Sequence, residues 1–230
     1  MKIVIAHLYY DLLNLYGECG NVRILQKTLE ENGFDVYVKL LTVGDELNFD
    51  EYDFVYMGMG LKENLEIANE HLLGYKKELD KYIKSKKCIL CTGNSYELFG
   101  NKITLEDKEI KCLGLFDFES EVLEKRNINE ISASCSLSDK TIIGFVNCGS
   151  SNNLKKDNFL TDINDTGNKE GILVNNFIGT YLIGPILVRN PELLKHILKT
   201  TSRVHTPCFI HFFTAHLCIT ALSWVTKTRF

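Results

Sequence analysis

Short apolar runs recur through the N-terminal half of the chain. The runs at 2–8, 53–58 and 88–92 are largely apolar, and the run at 35–41 alternates apolar and polar positions. Each is too short for a stable helix and stops at charged or turn-forming residues, a pattern that predicts β-strands. Continuous apolar character is typical of strands that are buried on both faces of a parallel sheet.

Between these runs, apolar residues return every three or four positions, which is the spacing of an amphipathic helix. One such segment begins at Asn21, a candidate N-cap, and reaches the stop signal Asn32-Gly33. The pattern from 65 to 84 predicts a single helix, and another helix is predicted to begin at Pro191. The side chains predicted to face inward on the first and last of these helices are Val22, Leu25, Leu29, Leu194, Ile197 and Leu198.

The run at 88–92 leads directly into Gly93-Asn94, a turn signal. Ser95 is placed to cap a short helix that Gly100 would end. Nucleophiles and bound anions usually lie where a strand, a tight turn and a helix N-terminus follow one another.

The order of strands and helices predicts an α/β fold with a mostly parallel sheet and helices on both faces. Ligands of such sheets bind outside the carboxyl ends of the strands, where Gly58-Met59-Gly60 and Gly93-Asn94 lie. After Gly100 the pattern predicts short strands that continue the same domain toward its edge. They are 103–104, 141–146, 171–174 and 177–182, with an exposed polar loop at 150–169.

Composition narrows the function classes. Apolar residues make up 45% of the chain and charged residues 24%, as in an ordinary globular protein. A net charge of -4 without a long basic stripe argues against nucleic acid as the main partner. Eight cysteines behind a start that does not resemble a signal peptide predict reduced thiols and a cytoplasmic location.

Five sequence blocks in a fixed order carry a family resemblance. They are 13–21 (LNLYGECGN), 96–100 (YELFG), 113–117 (LGLFD), 144–147 (GFVN) and 179–187 (GTYLIGPIL). Together they resemble the class I glutamine amidotransferase domain of cobyric acid synthase (CobB/CobQ) type, over residues 2–198. The resemblance implies a flavodoxin-like fold, with an amidotransferase-like domain at 1–200 and an atypical tail at 201–230.

In that family a cysteine thiolate on the strand-to-helix turn attacks glutamine, and a histidine exchanges protons with it. Laid on this chain, the nucleophile position falls at Gly93 and the histidine position at Ile183. Neither residue can perform its role, because glycine has no side chain and isoleucine has no exchangeable proton. The resemblance therefore implies that no intact catalytic pair remains.

Other family positions are kept in part. The family's Gly-Gly-Gly turn appears as Gly58-Met59-Gly60, its Cys-Gly-Gly-Tyr-Gln block ends in Glu97, and its Asn-His-Gly appears as 147–149 (NCG). The residues that the resemblance and the turn geometry assign to ligand binding are Gly58, Gly60, Asn94, Ser95 and Arg126. Glutamine or a related small acid is the expected ligand, and no metal or cofactor is expected.

Two main hypotheses of function follow. In the first, the chain is a catalytically inactive amidotransferase-like subunit that acts with a Mur-ligase-like, ATP-using synthetase, the partner the resemblance implies, in amidation of a cell-wall precursor or related amide chemistry. In the second, it is a working glutaminase subunit with a nonstandard residue set. The glycine at 93 and the isoleucine at 183 favour the first. A redox sensor rests on the cysteine count alone.

The sequence pattern does not favour a nearby residue as a replacement nucleophile or as a metal ligand. Cys91 would point to the same side as position 93, but about 7 Å back into the sheet, where burial raises a thiol pKa. Cys88 and Cys91 have metal-ligand spacing, yet a strand sends them to opposite faces, so core roles are predicted for both. His7 is predicted to be a hydrogen-bonded polar tip, and His71 and His196 surface residues.

The C-terminal stretch departs from the family pattern. Residues 204–226 contain no Lys, Arg, Asp or Glu, and they sit where the family usually has a charged helix. A partner-docking helix, a membrane-surface segment and a reading-frame accident all remain open from the sequence.

Overall fold

The computed structural model describes residues 1–163 and 168–202. The predicted apolar tail therefore lies outside the described residues, apart from its first two positions. Those two positions end a helix that begins at Pro191. The division into domains at residue 200 stays a prediction.

One half of the central sheet is parallel. Its strands are β1 (Lys2–Leu8), β2 (Asp35–Leu41), β3 (Phe54–Met57) and β4 (Cys88–Thr92). They pair in the order β2-β1-β3-β4, every pair parallel. The four predicted strands are confirmed, and β3 and β4 are buried along their whole length, as their continuous apolar runs require.

The other half of the sheet is mainly antiparallel. It contains β5 (Lys102–Thr104), β6 (Glu109–Lys111), β7 (Ser120–Cys135), β8 (Ser138–Asn152), β9 (Asn158–Asp162), β10 (Lys169–Val174), β11 (Phe177–Thr180) and β12 (Leu182–Ile183). The order β12-β8-β7-β9-β10-β11 joins the parallel half where β11 pairs with β4. The chain thus forms one mixed sheet, in which β4 joins the two halves.

Two predictions for this half were wrong, and one long strand was not predicted. The segment at 150–169 is not simply a loop, because it completes β8 and forms β9, in which Phe159 and Leu160 are buried. The predicted strand at 177–182 is two strands that pair with different neighbours. The long β7 was not predicted, because the exposed stretch 124–130 carries no apolar alternation.

Five α-helices lie among the described residues: α1 (Cys19–Glu31), α2 (Lys62–Leu73), α3 (Lys76–Lys84), α4 (Ile186–Arg189) and α5 (Pro191–Ser202). Short 3-10 helices occupy Phe49–Glu51 and Gly93–Phe99. The predicted single helix at 65–84 is two helices, because the chain turns at Gly74 and Tyr75. None of the helices in residues 1–163 and 168–202 is both long enough and apolar enough to cross a membrane.

Asn21 was predicted to be a helix cap, and that prediction was wrong. It lies inside α1, fully buried, where its amide nitrogen donates to the Tyr56 hydroxyl (3.0 Å) and the Gly184 carbonyl (3.2 Å). Its amide oxygen accepts the Leu187 N–H at 3.0 Å. One side chain therefore ties α1 both to the central sheet and to the turn that follows β12.

We expect Asn21→Ala to lower the free energy of unfolding by about 2–4 kcal/mol, because it leaves buried polar groups of the backbone without a hydrogen-bond partner. Urea unfolding of the full chain measures the change. Gln26→Ala is the matched control, since that side chain of α1 binds only Glu30 on the protein surface. Equal losses in both variants would contradict the structural role of Asn21.

Candidate functional site

The carboxyl ends of β3 and β4 bring two turns together. Asn94 holds them, since its side chain accepts the Gly60 N–H (3.2 Å) and donates to the Gly60 carbonyl (3.0 Å). Ser95 is fully buried and donates to the carbonyls of Met57 (3.2 Å) and Thr92 (3.1 Å). Ser95 is therefore not a helix cap, which corrects that prediction. The 3-10 helix Gly93–Phe99 begins two residues before the predicted cap, and Gly100 ends it, as predicted.

Gly93 lies in the tight turn that follows β4. Its φ is +66°, in the left-handed region that favours glycine. A Cβ placed at this position would collide with the Met59 side chain, with Cγ 2.7 Å and Sδ 3.0 Å away. The Met59 side chain thus occupies the space that a side chain at position 93 would need.

Gly58 and Gly60 are required by close backbone approach. A Cβ at Gly58 would lie 2.8 Å from a carboxylate oxygen of Glu18 and against the Leu13 carbonyl. A Cβ at Gly60 would lie against the Leu13 side chain and 3.0 Å from the Leu12 carbonyl. Both glycines let the loop after β1 pack on this turn, which explains them without a ligand.

Glu18 is a buried acid that the sequence reasoning did not single out. Its side chain is fully buried, and its carboxylate accepts the Met59 N–H. Burial raises the pKa of Glu18 to about 7, against the opposing effect of that hydrogen bond. The only sequence signal was an acidic residue between Gly17 and Gly20 in a loop.

A crevice of about 240 Å³ lies beside these turns. Its lining includes Met59, Gly60, Asn94, Glu97, Ser150 and Arg126. Glu97, 2% exposed, accepts a hydrogen bond from the Ser150 hydroxyl. Burial raises the pKa of Glu97 to about 7, against hydrogen bonds from Ser150 and Tyr181 and the charge of Lys62.

Arg126 is fixed at the edge of this crevice. It lies in a bulge of β7, between the paired positions Val122 and Asn127. Its Nε donates to the Asn147 side-chain oxygen and its Nη2 to the Asn147 carbonyl, both at 2.8 Å. Asn147 is itself anchored to the Tyr16 hydroxyl at 3.0 Å. With Lys62, Arg126 gives the crevice two cations that suit an anionic group.

The structure therefore brings Gly60, Asn94 and Arg126 together around one crevice, whereas Ser95 is buried beneath it. Ile183 is buried in β12, paired with Phe145 on β8. It is not among the described residues that line the crevice. The assignment of these positions to ligand binding stays a prediction.

The cysteines beside the site are buried thiols. Burial raises the pKa of Cys91 and of Cys88 far above the ordinary thiol range. Cys148, next to Ser150 (3.3 Å between Sγ and Oγ), has its pKa raised to about 11 by burial and by the Glu97 carboxylate. No group of metal-binding side chains occurs among residues 1–163 and 168–202. The core roles predicted for Cys88 and Cys91 agree with this burial.

One prediction for a histidine was wrong. His7 is 2% exposed, and its Nε2 has no hydrogen-bond partner in the described part of the chain. Burial lowers the pKa of His7 to about 4, and its ring packs edge-on against Tyr56. His71, predicted to lie at the surface, is half-buried on α2, with its Nδ1 3.1 Å from the Tyr9 hydroxyl. His196 is half-buried on α5.

Comparisons with known proteins identify solved structures that share the fold of this chain and a sequence family to which it is similar. Solved structures of similar shape include PurLQS from Thermotoga maritima, with a TM-score of 0.54 and 14% identity, covering 98% of this chain and 100% of that chain. A crystal structure of a glutamine amidotransferase also matches, with a TM-score of 0.54, 13% identity and 87% and 99% coverage. At these identities the likeness concerns the fold alone.

Sequence relatives are more specific. The GatD subunit of lipid II isoglutaminyl synthase (glutamine-hydrolyzing) from Staphylococcus aureus is 31% identical over 204 residues, covering 86% of this chain and 84% of that protein. GatD from Streptococcus pneumoniae is 28% identical over 208 residues, covering 86% and 80%. The model of the CobB/CobQ-like glutamine amidotransferase domain matches residues 4–191. The chain belongs to the CobB/CobQ-like glutamine amidotransferase family.

Proposed function

We propose that this chain is an amidotransferase-like subunit that does not hydrolyse glutamine. It acts in the cytoplasm with a Mur-ligase-like, ATP-using synthetase that amidates a cell-wall precursor or carries out related amide chemistry. The observation that carries the loss of turnover is the Met59 side chain in the space beside Gly93. The partner is inferred from the likeness to GatD, which is named as a subunit of a synthase.

Glutamine hydrolysis by this family's route needs a thiolate at the turn and a base beside it. Gly93 supplies no thiol, Ile183 supplies no base, and Met59 leaves no room for a side chain at 93. Cys91 and Cys148 are buried, and their raised pKa values keep both protonated at neutral pH. Several independent features thus oppose turnover.

Ligand binding does not need the missing pair. Arg126 and Lys62 place two positive charges at the crevice, and Asn147 holds the Arg126 guanidinium in one orientation. These groups suit the carboxylate of glutamine or of a related small acid. We expect Arg126→Ala to weaken glutamate or glutamine binding by roughly tenfold, since it removes a charged hydrogen bond.

A working glutaminase with a nonstandard residue set is the second candidate. The feature that favours it is the hydrogen bond between Ser150 and the buried carboxyl of Glu97 at the crevice wall. A hydroxyl beside a base with a pKa of about 7 has the elements of nucleophilic catalysis. In that case Ser150→Ala would abolish glutamine-dependent ammonia release.

The test of the proposed function is a reconstituted complex. The chain is purified with the Mur-ligase-like protein of its own host, and amidation is measured with glutamine and with ammonium chloride as nitrogen source. We expect the complex to form and to amidate with ammonium but not with glutamine. Glutamine-dependent amidation would overturn the loss of turnover, and failure of the two proteins to associate would overturn the partner.

A further inference from the structure

A second cavity, of about 450 Å³, lies in the antiparallel half of the sheet. It is bounded by side chains of β7, β8, β9 and β10, whereas the crevice lies at the carboxyl ends of β3 and β4. Ser150 is the wall residue that the two share. The volume falls in the range of small-molecule sites and exceeds what a few trapped waters need.

Fixed polar groups line one wall of this cavity. The Asn152 amide nitrogen donates to the hydroxyls of Tyr96 (2.7 Å) and Tyr181 (3.2 Å), and its oxygen accepts the Leu154 N–H at 3.2 Å. Glu170 accepts hydrogen bonds from the Thr180 hydroxyl (2.8 Å) and the Tyr181 N–H. These side chains are held in place before any ligand arrives.

Asn158 differs from them. It is half-buried at the start of β9 and lines the cavity, and its side chain makes no hydrogen bond within the described part of the chain. An amide offers donors on its nitrogen and an acceptor on its oxygen. Asn158 therefore presents unused hydrogen-bonding capacity of both kinds to whatever enters.

The charges of the lining disfavour an anion. Two acids, Glu130 and Asp162, line the cavity against one cation, Lys169, and burial raises the pKa of the third acid, Glu170, to about 7. A phosphate or carboxylate would be repelled, unlike at the crevice with Arg126. The remaining polar side chains of the lining are mostly uncharged amides and hydroxyls.

The rest of the wall is apolar. It comprises Leu123, Ile131, Ala133, Val146, Leu154 and Leu160. The ring of Tyr181 adds an aromatic surface that carries a polar tip. A ligand that fits must therefore combine hydroxyl or amide groups on its edge with a C–H face.

We propose that this cavity binds an uncharged, polyhydroxylated ring of monosaccharide size. Sugar hydroxyls both donate and accept, so they match the Asn158 amide, which offers donors and an acceptor, in a way that a purely accepting anion does not. The C–H face of the ring fits the leucine-lined wall. This site is separate from glutamine turnover, so its test is independent of the proposed function.

The experiment is titration calorimetry on the purified full chain with five uncharged probes: glucose, galactose, mannose, ribose and N-acetylglucosamine. We expect saturable binding of at least one, with a Kd on the order of 1 mM. Glucose 6-phosphate serves as the anionic counterpart and is expected to bind at least about tenfold more weakly than glucose, because of the acidic lining.

Two variants test whether the sugar binds in this cavity. Asn158→Leu removes the free amide, and Leu154→Trp fills the cavity from a half-buried position, so each is expected to weaken sugar binding by about tenfold or more. Arg126→Ala, in the crevice, is the control and should leave sugar binding unchanged. Melting curves verify that all three variants fold.

The proposal is overturned if none of the five sugars binds saturably. It is also overturned if a folded Asn158→Leu and a folded Leu154→Trp both bind as the unmodified chain does, or if Arg126→Ala abolishes the binding. Tighter binding of glucose 6-phosphate than of glucose would contradict the charge argument and assign the cavity to anions.

Discussion

The variant Met59→Gly, Gly93→Cys, Ile183→His is expected to release ammonia from glutamine, whereas Gly93→Cys, Ile183→His is not. In the double variant the new cysteine collides with Met59, whose Cγ would lie 2.7 Å from its Cβ. Either the thiol or the turn must move, and a displaced nucleophile loses most of its rate. Replacing Met59 by glycine clears the space.

The measurement is ammonia release by each purified variant, alone and with the synthetase partner. We expect the triple variant to exceed the double variant by roughly a hundredfold or more, as for other losses of nucleophile geometry. Met59→Gly alone is the control for a general loosening of the turn and should stay inactive. Equal rates in the double and triple variants would show that Met59 does not obstruct the position.

Stability is expected to fall as pH rises from 5 to 8. Burial raises the pKa of Glu18 and of Glu97 from 4.5 to about 7 in the folded chain. A carboxyl with a raised folded pKa contributes its stability fully below pH 4.5 and loses it as pH rises through about 7. Each contributes up to about 3 kcal/mol across that window.

Glu97→Gln tests this directly, because glutamine keeps the shape and cannot ionise. Urea unfolding at pH 5 and pH 8 should show a smaller pH dependence in the variant, by up to about 3 kcal/mol. Glu121→Gln is the control, since that side chain is exposed on β7. A wild-type chain equally stable at both pH values, or an unchanged dependence in Glu97→Gln, would contradict the effect of burial.

The parallel half of the fold could be predicted from the sequence because β1, β3 and β4 are buried on both faces and β2 alternates apolar and polar residues. The runs at β3 and β4 are apolar throughout, and each stops at a glycine turn. The pattern fails at β7, where residues 124–130 are exposed and residues 127–130 pair with β8. Backbone hydrogen bonds, which leave no trace in hydropathy, define that element.

At the candidate site, the backbone turn could be predicted from the sequence, whereas the side chain that fills it could not. A turn at Gly93 was predicted and the positive φ shows one, whereas the assignment of the nucleophile position to Gly93 stays a prediction. The filling of the turn by Met59 depends on how closely two distant turns approach, which spacing along the chain does not encode. Likewise, the local sequence predicts a helix cap at Asn21, because the partner of its side chain, Tyr56, is distant along the chain.

In the proposed function, the unmodified chain does not turn over glutamine. The most direct measurement is ammonia release from glutamine by the purified chain, with and without its synthetase partner. We expect no release above the buffer background in either case. Release that depends on the chain and disappears in Cys91→Ser or Ser150→Ala would contradict it.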